Sequence, residues 1–419
     1  MSVAILLVLV LLALMGLSLF VVLGAGALVA SWLAGLDFAT LVIELNRLAS
    51  SPNLSAIPLF TFAGVVLAAG GAPQRLIKLF NAMFGWLPGG LALVVLMSCA
   101  FFTAFSGASG VTILALGGLL YPLLTHAGYS QRFSLGLLTS SGSIGLLFPP
   151  SLPVLLYAIV AQVNVDQLFL AGIVPGLLLL VFLAAYSLRQ GGLSTTARVP
   201  FSSEALVSAL RAGVWDVLLP VGITIGIFGG WVTVSESATC TAAYVLLLES
   251  VIHKNLNLRK QFVPLARDSA VLVGSILIIL AMAMGLTNLL IDAQLPMKML
   301  ALLEETVHSQ LSFLLLLNAF LLLVGAMMDI FSATVVVVPL ILPLALRYGV
   351  DPVHLGIIFL ANLEIGYITP PVGINLFLAS QRFNKSVLEV FRSTLPFLFL
   401  MLLWLILVTY VPLISLWWR

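Results

Sequence analysis

Long apolar runs follow one another along nearly the whole chain, and each is bounded by glycine, proline or a charged residue. Of the 419 residues, 62% are hydrophobic and 8% are charged, against roughly 25% charged residues in an average soluble domain. Inside a bilayer every backbone polar group must be paired within the protein, so runs of this kind form helices. The sequence therefore predicts an all-α polytopic membrane protein. A net charge of +2 gives no basis for binding nucleic acid.

Glycine and proline positions in the first half recur in the second half at a constant offset of 221 positions. These residues decide backbone conformation, because glycine tolerates left-handed dihedral angles and proline removes a donor. The matched positions are Gly64 with Gly285, Pro122 with Pro343, Gly128 with Gly349, Gly145 with Gly366, Pro149 with Pro370, and Pro150 with Pro371. So many matches in one ungapped register indicate an internal duplication.

The duplication predicts two structural repeats on either side of the one extended polar stretch. We expect the first repeat to cover residues 1–190 and the second to cover 216–419, with a cytoplasmic linker at 191–215. Each repeat should begin with short scaffold helices. The amphipathic stretch from Asp37 to Ser51 is typical of a helix that lies along the membrane interface.

Each repeat also contains two apolar arms around a polar tip, followed by an apolar run that a Pro-Pro pair interrupts. We interpret the arms, at about 89–126 and about 311–346, as re-entrant hairpins that enter and leave the membrane on one side. The interrupted runs, at about 133–161 and about 354–380, are interpreted as helices broken at the Pro-Pro pair.

Charge placement gives a prediction of topology. If the hairpins do not cross, each repeat crosses the bilayer an odd number of times and the two repeats are inverted. With the N-terminus in the periplasm, all but four of the 17 Lys and Arg residues fall on the cytoplasmic side, as the positive-inside rule requires. The exceptions are Arg47, Lys298, Arg347 and Arg419. Full crossing by both hairpins would leave the other loops where they are, so charge does not distinguish a hairpin from a span.

Inverted repeats with interrupted helices in matching positions are the usual signature of a secondary transporter. Carbonyls freed where a helix breaks, together with nearby hydroxyls, can bind a hard cation such as Na+. The first predicted sodium site comprises Ser106, Gly107, Ser109, Gly145, Phe148 and Pro150. The second comprises Asp329, Ser332, Thr334, Gly366, Thr369 and Pro371. The alternative interpretation is that these residues are kinks and helix-packing points, which are common in membrane helices.

Four residues beside the Pro-Pro pairs are assigned to substrate binding. They are Ser143, Ser151, Gly373 and Asn375.

Acidic residues in apolar surroundings are few, and each is a candidate for function. Asp329, Glu364 and Glu236 qualify, although a carboxylate can also anchor a helix at the interface or cap its N-terminus. Cys99 and Cys240 lie far apart in apolar runs and are interpreted as small core residues.

Motifs for enzyme chemistry are missing from the sequence. It contains no histidine pair at metal-ligand spacing, nucleophile elbow, phosphate loop or His-Glu-x-x-His pattern. We therefore predict that the protein is not an enzyme and has no catalytic residues.

Several motifs, taken together, resemble the large membrane subunit of TRAP transporters, the tripartite ATP-independent periplasmic carriers, within the ion transporter superfamily. The similarity covers essentially the whole chain. The motifs are Phe105-Ser-Gly-Ala-Ser-Gly110, Tyr121-Pro, Gly128-Tyr129, Phe148-Pro-Pro-Ser-Leu-Pro153, Leu168-Phe-Leu-Ala-Gly-Ile-Val-Pro-Gly176, Gly349-Val-Asp-Pro-Val-His354 and Gly366-Tyr-Ile-Thr-Pro-Pro-Val-Gly373.

The resemblance implies a sodium-driven, elevator-type importer of organic acids in a bacterial inner membrane. Its substrate would be a carboxylate of the C4-dicarboxylate, keto acid or sialic acid class, and Na+ would be the transported coupling ion. Similar proteins work with a small four-helix membrane subunit and a periplasmic substrate-binding protein. Two sodium sites would lie near the hairpin tips and the broken helices.

The sequence departs from the family pattern in two places. The Gly-Ser-Ser tip of the family is Gly107-Ala108-Ser109 here, which leaves only the backbone of residue 108 as a ligand. The Thr-Pro-Thr-Glu-Ala motif is Thr233-Val-Ser-Glu-Ser237, a difference that concerns the scaffold more than the chemistry.

Three other interpretations remain open at this point. A stand-alone sodium-coupled dicarboxylate or citrate carrier would need no partner subunits. A channel would also contain pore helices, but broken helices in inverted halves favour alternating access. An intramembrane enzyme would need acid, base or metal ligands that the sequence does not group together.

Overall fold

A computed structural model describes residues 19–35, 43, 46, 50, 54–193, 201–292 and 307–419. Nearly all of them are helical, and none of these described residues forms a β-strand. The first half contains α1 (Leu19–Ala34), α2 (Ala56–Ala69), α3 (Ala72–Phe84), α4 (Gly90–Ser106), α5 (Ser109–His126), α6 (Gln131–Ser141), α7 (Leu152–Ala161) and α8 (Val165–Leu193). The second half contains α9 (Ser203–Phe228), α10 (Val234–Leu247), α11 (Leu258–Asp292), α12 (Gln310–Met327), α13 (Ile330–Arg347), α14 (Pro352–Gly366), α15 (Ile374–Phe383) and α16 (Val387–Tyr410).

Helix length and apolar composition confirm an all-α membrane protein with many spans. In the described part of the chain, 7 helices are long and apolar enough to cross a membrane, or up to 9 if each bent helix pair counts as one span. The bent pairs are α2 with α3, at 73°, and α6 with α7, at 46°. Length and composition do not separate a span from a re-entrant arm, so the hairpin interpretation stays a prediction.

The polar stretch between the halves is shorter than the predicted linker at 191–215. Helix α8 continues to Leu193 and helix α9 already begins at Ser203. The Ser202 side chain accepts a hydrogen bond from Ala205 N at 3.2 Å, which pairs one of the free donors at the start of α9. Polar residues after Ser202 therefore belong to a capped helix. The predicted interfacial helix from Asp37 to Ser51 lies outside the described residues, apart from the isolated positions 43, 46 and 50.

Two short breaks of two residues each separate the helices of the two arm pairs. Gly107 and Ala108 join α4 to α5, and Gly107 has φ of 64°, a left-handed conformation that glycine adopts without steric cost. Met328 and Asp329 join α12 to α13. These two turns are the polar tips identified in the sequence.

Helix packing follows the same scheme in both halves. Helix α5, the second arm of the first pair, packs against α15, and α13, the second arm of the other pair, packs against α7. In the same way α16 packs against α6 while α8 packs against α14, and α1 packs against α11 while α2 packs against α10. In each of these three comparisons, a helix of one half packs on a helix of the other half, and the second contact is the first with the two halves interchanged.

Candidate functional site

The turn between α4 and α5 is fixed by hydroxyl groups just outside it. Thr103 Oγ1 and Thr112 Oγ1 are 2.6 Å apart, so the two arms are joined by a hydrogen bond. Thr103 Oγ1 also lies 2.8 Å from the carbonyl oxygen of Gly142, at the end of α6. The first tip is thereby held against the segment that leads to Pro149-Pro150.

Two predicted ligands of the first sodium site, Ser106 and Ser109, are buried at this tip. Ser106 Oγ makes only a long contact of 3.4 Å to the carbonyl oxygen of Ala108. Ser109 Oγ instead donates to Oδ1 of Asn375 at 2.7 Å. The structure thus brings a predicted sodium ligand of one half against a predicted substrate ligand of the other.

The segment from Ser143 to Ser151 packs against the first arm pair. Its helical turn Ile144–Leu147 lies on α4, and a Cβ atom on Gly145 would lie 2.2 Å from the carbonyl oxygen of Ala100. Ser143 Oγ makes a contact of 3.5 Å with the carbonyl oxygen of Ser140. The hydroxyl oxygen of Ser151 is buried and forms no hydrogen bond within the described residues.

The remaining predicted ligands of the first site lie nearby. Phe148 and Pro149 line an apolar cavity of about 300 Å³, which α4, α8 and α9 also enclose. Pro150 is buried and follows the Pro149-Pro150 bond, which is cis. Gly107 faces the Leu152 side chain at the start of α7.

The second tip is organised by Asp329. Its Oδ1 accepts hydrogen bonds from the backbone N–H groups of Phe331 and Ser332, both at 3.0 Å. The carboxylate therefore caps the N-terminus of α13, which is the structural role considered for it in the sequence. Ile330 N donates to the phenol oxygen of Tyr367 at 2.8 Å, which joins the tip to the segment before Pro370-Pro371.

The threonines of the second predicted site donate their hydroxyl hydrogens to carbonyl oxygens four residues earlier in the chain. Thr334 Oγ1 bonds to the carbonyl oxygen of Ile330 at 2.5 Å, and Thr369 Oγ1 bonds to that of Ile365 at 2.8 Å. A hydroxyl that donates in this way still has oxygen lone pairs with which to bind a cation. Ser332 is buried close to Asp329.

The Pro370-Pro371 segment, whose bond is also cis, is attached to the end of α12. The backbone N–H groups of Val372 and Gly373 both donate to the carbonyl oxygen of Ala326 at 3.0 Å. A Cβ atom on Gly366 would lie 2.2 Å from the backbone carbon of Gly325. The matched glycines of the two halves therefore hold equivalent segments against equivalent arms.

The other two acidic candidates differ from each other. Glu236 is exposed, and its carboxylate accepts from Thr233 N at 2.8 Å in a capping box at the start of α10. Glu364 is fully buried in α14, and neither of its carboxyl oxygens forms a hydrogen bond within the described residues. Glu236 thus serves the capping role considered for it.

Sequence reasoning missed a buried ion-pair cluster. It counted Arg75 only as one of the cytoplasmic charges, whereas the residue lies in α3 and is 9% exposed. Its guanidinium donates to Asp216 at 2.6 and 2.7 Å and to Glu249. Arg75, Asp216 and Glu249 lie on three different elements, so they assemble only in the fold. Asp216 and Glu249 are also acidic residues in apolar surroundings, and the rule applied to Asp329 would have identified both.

The donor types near the two tips define what the sites can bind. Within the described part of the chain, no group of three or more His, Cys, Asp or Glu side chains could hold a metal ion. The polar atoms near the tips are hydroxyl, amide and carbonyl oxygens, with Asp329 as the charged group. Such oxygens suit a hard monovalent cation better than a transition metal.

The apolar helices and the polar turns define a class of protein. It is a helical membrane protein in which polar groups cluster at two turns between helices, inside an otherwise apolar bundle. Residues 3–414 match the family of the tripartite ATP-independent periplasmic transporter, DctM component. The chain belongs to this family, the large permease subunits of TRAP transporters.

Two relatives and one solved structure show the extent of the similarity. The chain is 34% identical over 394 residues to the isethionate TRAP transporter permease protein DctMQ of Oleidesulfovibrio alaskensis, covering 93% of this chain and 60% of that protein. It is 34% identical over 395 residues to the C4-dicarboxylate TRAP transporter large permease protein DctM of Vibrio cholerae, covering 89% and 86%. The crystal structure of the Alcanivorax borkumensis YdaH transporter matches with a TM-score of 0.64 at 17% identity, over 91% of this chain and 88% of that one. That last likeness concerns the fold alone.

Proposed function

We propose that this chain is the permease subunit of a sodium-coupled, binding-protein-dependent importer of small organic acids. The observation that supports this most is the equivalent packing of the two halves around the polar tips. In each half, a glycine before the Pro-Pro pair lies against the first arm of a helix pair. The second arm then packs on the helix after the other Pro-Pro pair.

This exchange of partners supports an inverted repeat. A pseudo-two-fold axis that relates α4 to α12 and α6 to α14 also relates the packing of α5 on α15 to that of α13 on α7. It likewise relates α16 on α6 to α8 on α14, and α1 on α11 to α10 on α2. Inverted repeats with binding sites at interrupted helices are a common plan of secondary transporters. In the proposed elevator mechanism the arm pairs and Pro-Pro segments move together, while α1, α2, α10 and α11, which pack on one another, form the scaffold.

Sodium is proposed to bind at the two tips. In the first half, Ser106 and Ser109 would supply hydroxyl oxygens, with carbonyls from the segment around Gly145. In the second half, the hydroxyls of Ser332, Thr334 and Thr369 and the carboxylate of Asp329 would supply oxygens, with carbonyls from the Pro370-Pro371 segment. Na+ prefers several oxygen ligands, and these groups supply them without a dedicated metal-binding cluster.

The substrate is proposed to be a small carboxylate of the C4-dicarboxylate, keto acid or sialic acid class. One relative is named for C4-dicarboxylates and another for isethionate, both organic anions. Asn375 supports a substrate role because its Nδ2 is a buried donor with no hydrogen-bond partner among the described residues. Ser151 lies at the start of α7, and its buried hydroxyl also has no hydrogen-bond partner among the described residues.

The proposed assembly contains a small four-helix membrane subunit and a periplasmic binding protein, in a bacterial inner membrane with the N-terminus in the periplasm. Reconstitution of the purified subunits in liposomes tests it. We expect uptake of a labelled organic acid to require an inward sodium gradient and all three proteins. Sodium-driven uptake by this chain alone would favour a stand-alone carrier, and uptake without sodium would overturn the coupling.

A further inference from the structure

The turn between α10 and α11 is a rigid, positively charged corner. The backbone N–H groups of Asn255 and Leu256 donate to the carbonyl oxygen of Glu249, at 2.9 and 3.1 Å. Asn257 then caps α11, because its Oδ1 accepts from Arg259 N at 3.2 Å and its N–H donates to Gln261 Oε1 at 2.7 Å. The hydrogen bonds fix the backbone of a turn that would otherwise be a mobile loop.

Three cations project from this turn. We call Lys254, Arg259 and Lys260 the basic corner, and all three are exposed around a surface cavity of about 690 Å³. None of them forms an ion pair with another residue that the structure describes. The nearby Glu249 does not cancel this charge, because its carboxylate is already bound by Arg75.

Exposed apolar side chains lie beside the basic corner. Val251 is 59% exposed, and Val263 is 72% exposed on the first turns of α11. Ile252, Leu258 and Phe262 are exposed beside them. Because α11 is one of the candidate spans, the corner lies where a helix enters the membrane, with cations and apolar groups side by side.

We propose that the basic corner is a binding site for an anionic phospholipid. The headgroup phosphate would lie among Lys254, Arg259 and Lys260, and the acyl chains would lie on the exposed apolar side chains. A juxtamembrane group of Lys and Arg attracts anionic lipid, and the apolar rim favours a lipid over a free phosphate ion. The charge distribution of the sequence puts this turn at the cytoplasmic surface, where the lipid phosphates are within reach.

The corner is connected to the buried ion-pair cluster through a single residue. Glu249 accepts the N–H groups of the turn with its carbonyl oxygen, and its side chain accepts from Arg75, from Gly71 N and from Asn255 Nδ2. A lipid bound at the turn therefore also stabilises the cluster that joins α3, α9 and the end of α10. We expect bound anionic lipid to raise the thermal unfolding midpoint of the protein.

Binding of fluorescent phosphatidylglycerol to the purified full chain in detergent tests the proposal, with phosphatidylcholine of equal chain length for comparison. Removing one positive charge should weaken binding about fivefold, so the triple variant Lys254→Gln, Arg259→Gln, Lys260→Gln should bind phosphatidylglycerol about a hundredfold more weakly. Its binding of phosphatidylcholine should not change. The triple variant should also lose the rise in unfolding midpoint that phosphatidylglycerol gives the parent protein.

A matched control removes the same charge elsewhere. The variant Arg211→Gln, Arg382→Gln, Arg392→Gln changes three other exposed cations and should bind phosphatidylglycerol like the parent. A second variant, Val251→Ser with Val263→Ser, should bind both phospholipids more weakly and should still prefer the anionic one. Equal binding by the parent and the Lys254 triple variant would overturn the proposal. Complete displacement of the lipid by millimolar inorganic phosphate would overturn it too, in favour of a free-anion site.

Discussion

Ser109 donates a hydrogen bond of 2.7 Å to Asn375 Oδ1, across 266 positions of sequence. Ser109 is the first residue of α5 and Asn375 is the second residue of α15, so the bond joins the tip of one half to the segment after the Pro-Pro pair of the other. Both side chains are buried. A cation bound at Ser109 would therefore change the orientation of an amide assigned to substrate.

Replacing Asn375 should alter the response to sodium as well as to substrate. In Asn375→Ala the Ser109 hydroxyl loses its acceptor, and a lost neutral hydrogen bond costs roughly 0.5–1.5 kcal/mol. We expect the half-saturating concentrations of both sodium and substrate to rise, by about twofold to tenfold. Sodium titrations of uptake in proteoliposomes measure both. Gln381→Ala, an exposed change on the same helix, is the control, and a change in the substrate response alone would separate the two sites.

The sodium sites can be tested one hydroxyl at a time. Ser106→Ala and Thr369→Ala each remove a predicted ligand, at a cost comparable to a charged hydrogen bond, roughly 1.5–3 kcal/mol. The sodium concentration for half-maximal uptake should then rise about tenfold to hundredfold. Affinity of the separate binding protein for substrate should stay the same.

Thr125→Ala is the control for these variants, since its hydroxyl bonds only to carbonyls of its own helix, away from the tip. If Ser106→Ala and Thr369→Ala keep the sodium dependence of the parent, both residues are packing elements, and the interpretation as kinks is correct.

The matched glycines should be sensitive to a single methyl group. A Cβ atom at Gly145 or Gly366 would lie 2.2 Å from backbone atoms of a neighbouring helix, and backbone cannot move aside as a flexible side chain can. Gly145→Ala and Gly366→Ala should each destabilise the protein by about 1–3 kcal/mol or more. Thermal unfolding in detergent measures this.

Gly222→Ala and Gly274→Ala are the controls, because a Cβ atom at either site meets nothing within 4 Å. Alanine is also the better helix former, so these two variants should be at least as stable as the parent. Equal stability of all four variants would mean that the close packing at the two Pro-Pro segments is not needed.

The features that the sequence predicted are those that depend on local residues. The helices, the tips at Gly107 and Asp329, and their position relative to the Pro-Pro pairs follow from apolar runs and from glycine and proline. Helices α8 and α9 extend into the range predicted as a linker, 191–215, and the polar start of α9 is capped by Ser202.

Contacts between distant residues could not be predicted in this way. Ser109 and Asn375 were assigned to different sites, because nothing in a single sequence relates positions so far apart. The partners of Arg75 could not be identified for the same reason: they come from α9 and from the end of α10. A charge in a short polar segment looks exposed until the fold brings counter-charges to it.

The Arg75 cluster should be essential for stability. Removing one partner of a buried ion pair leaves an uncompensated charge, which costs about 3–5 kcal/mol. Arg75→Ala leaves the buried carboxylates of Asp216 and Glu249 without a counter-charge, so we expect a marked drop in the thermal unfolding midpoint. Lys78→Ala, three residues on and exposed, should have little effect. A double variant, Arg75→Met with Asp216→Leu, should recover part of the loss, whereas no recovery would indicate that Glu249 alone accounts for the destabilisation.

The inverted topology predicts that Lys78 and Arg347 lie on opposite sides of the membrane. Lys78 lies in α3, the second helix of the first bent pair, and Arg347 ends the second arm of the second hairpin; both side chains are exposed. Most cations of the chain, including Lys78, must lie in the cytoplasm for the positive-inside rule to hold, whereas Arg347 is one of the four exceptions.

Lys78→Cys and Arg347→Cys, in a Cys240→Ser background because Cys240 is exposed, allow a direct test with a membrane-impermeant maleimide. In intact cells with a permeable outer membrane only position 347 should react, and after lysis both should. Reaction at both positions before lysis would place them on the same side and rule out the predicted topology, in which an odd number of crossings separates them.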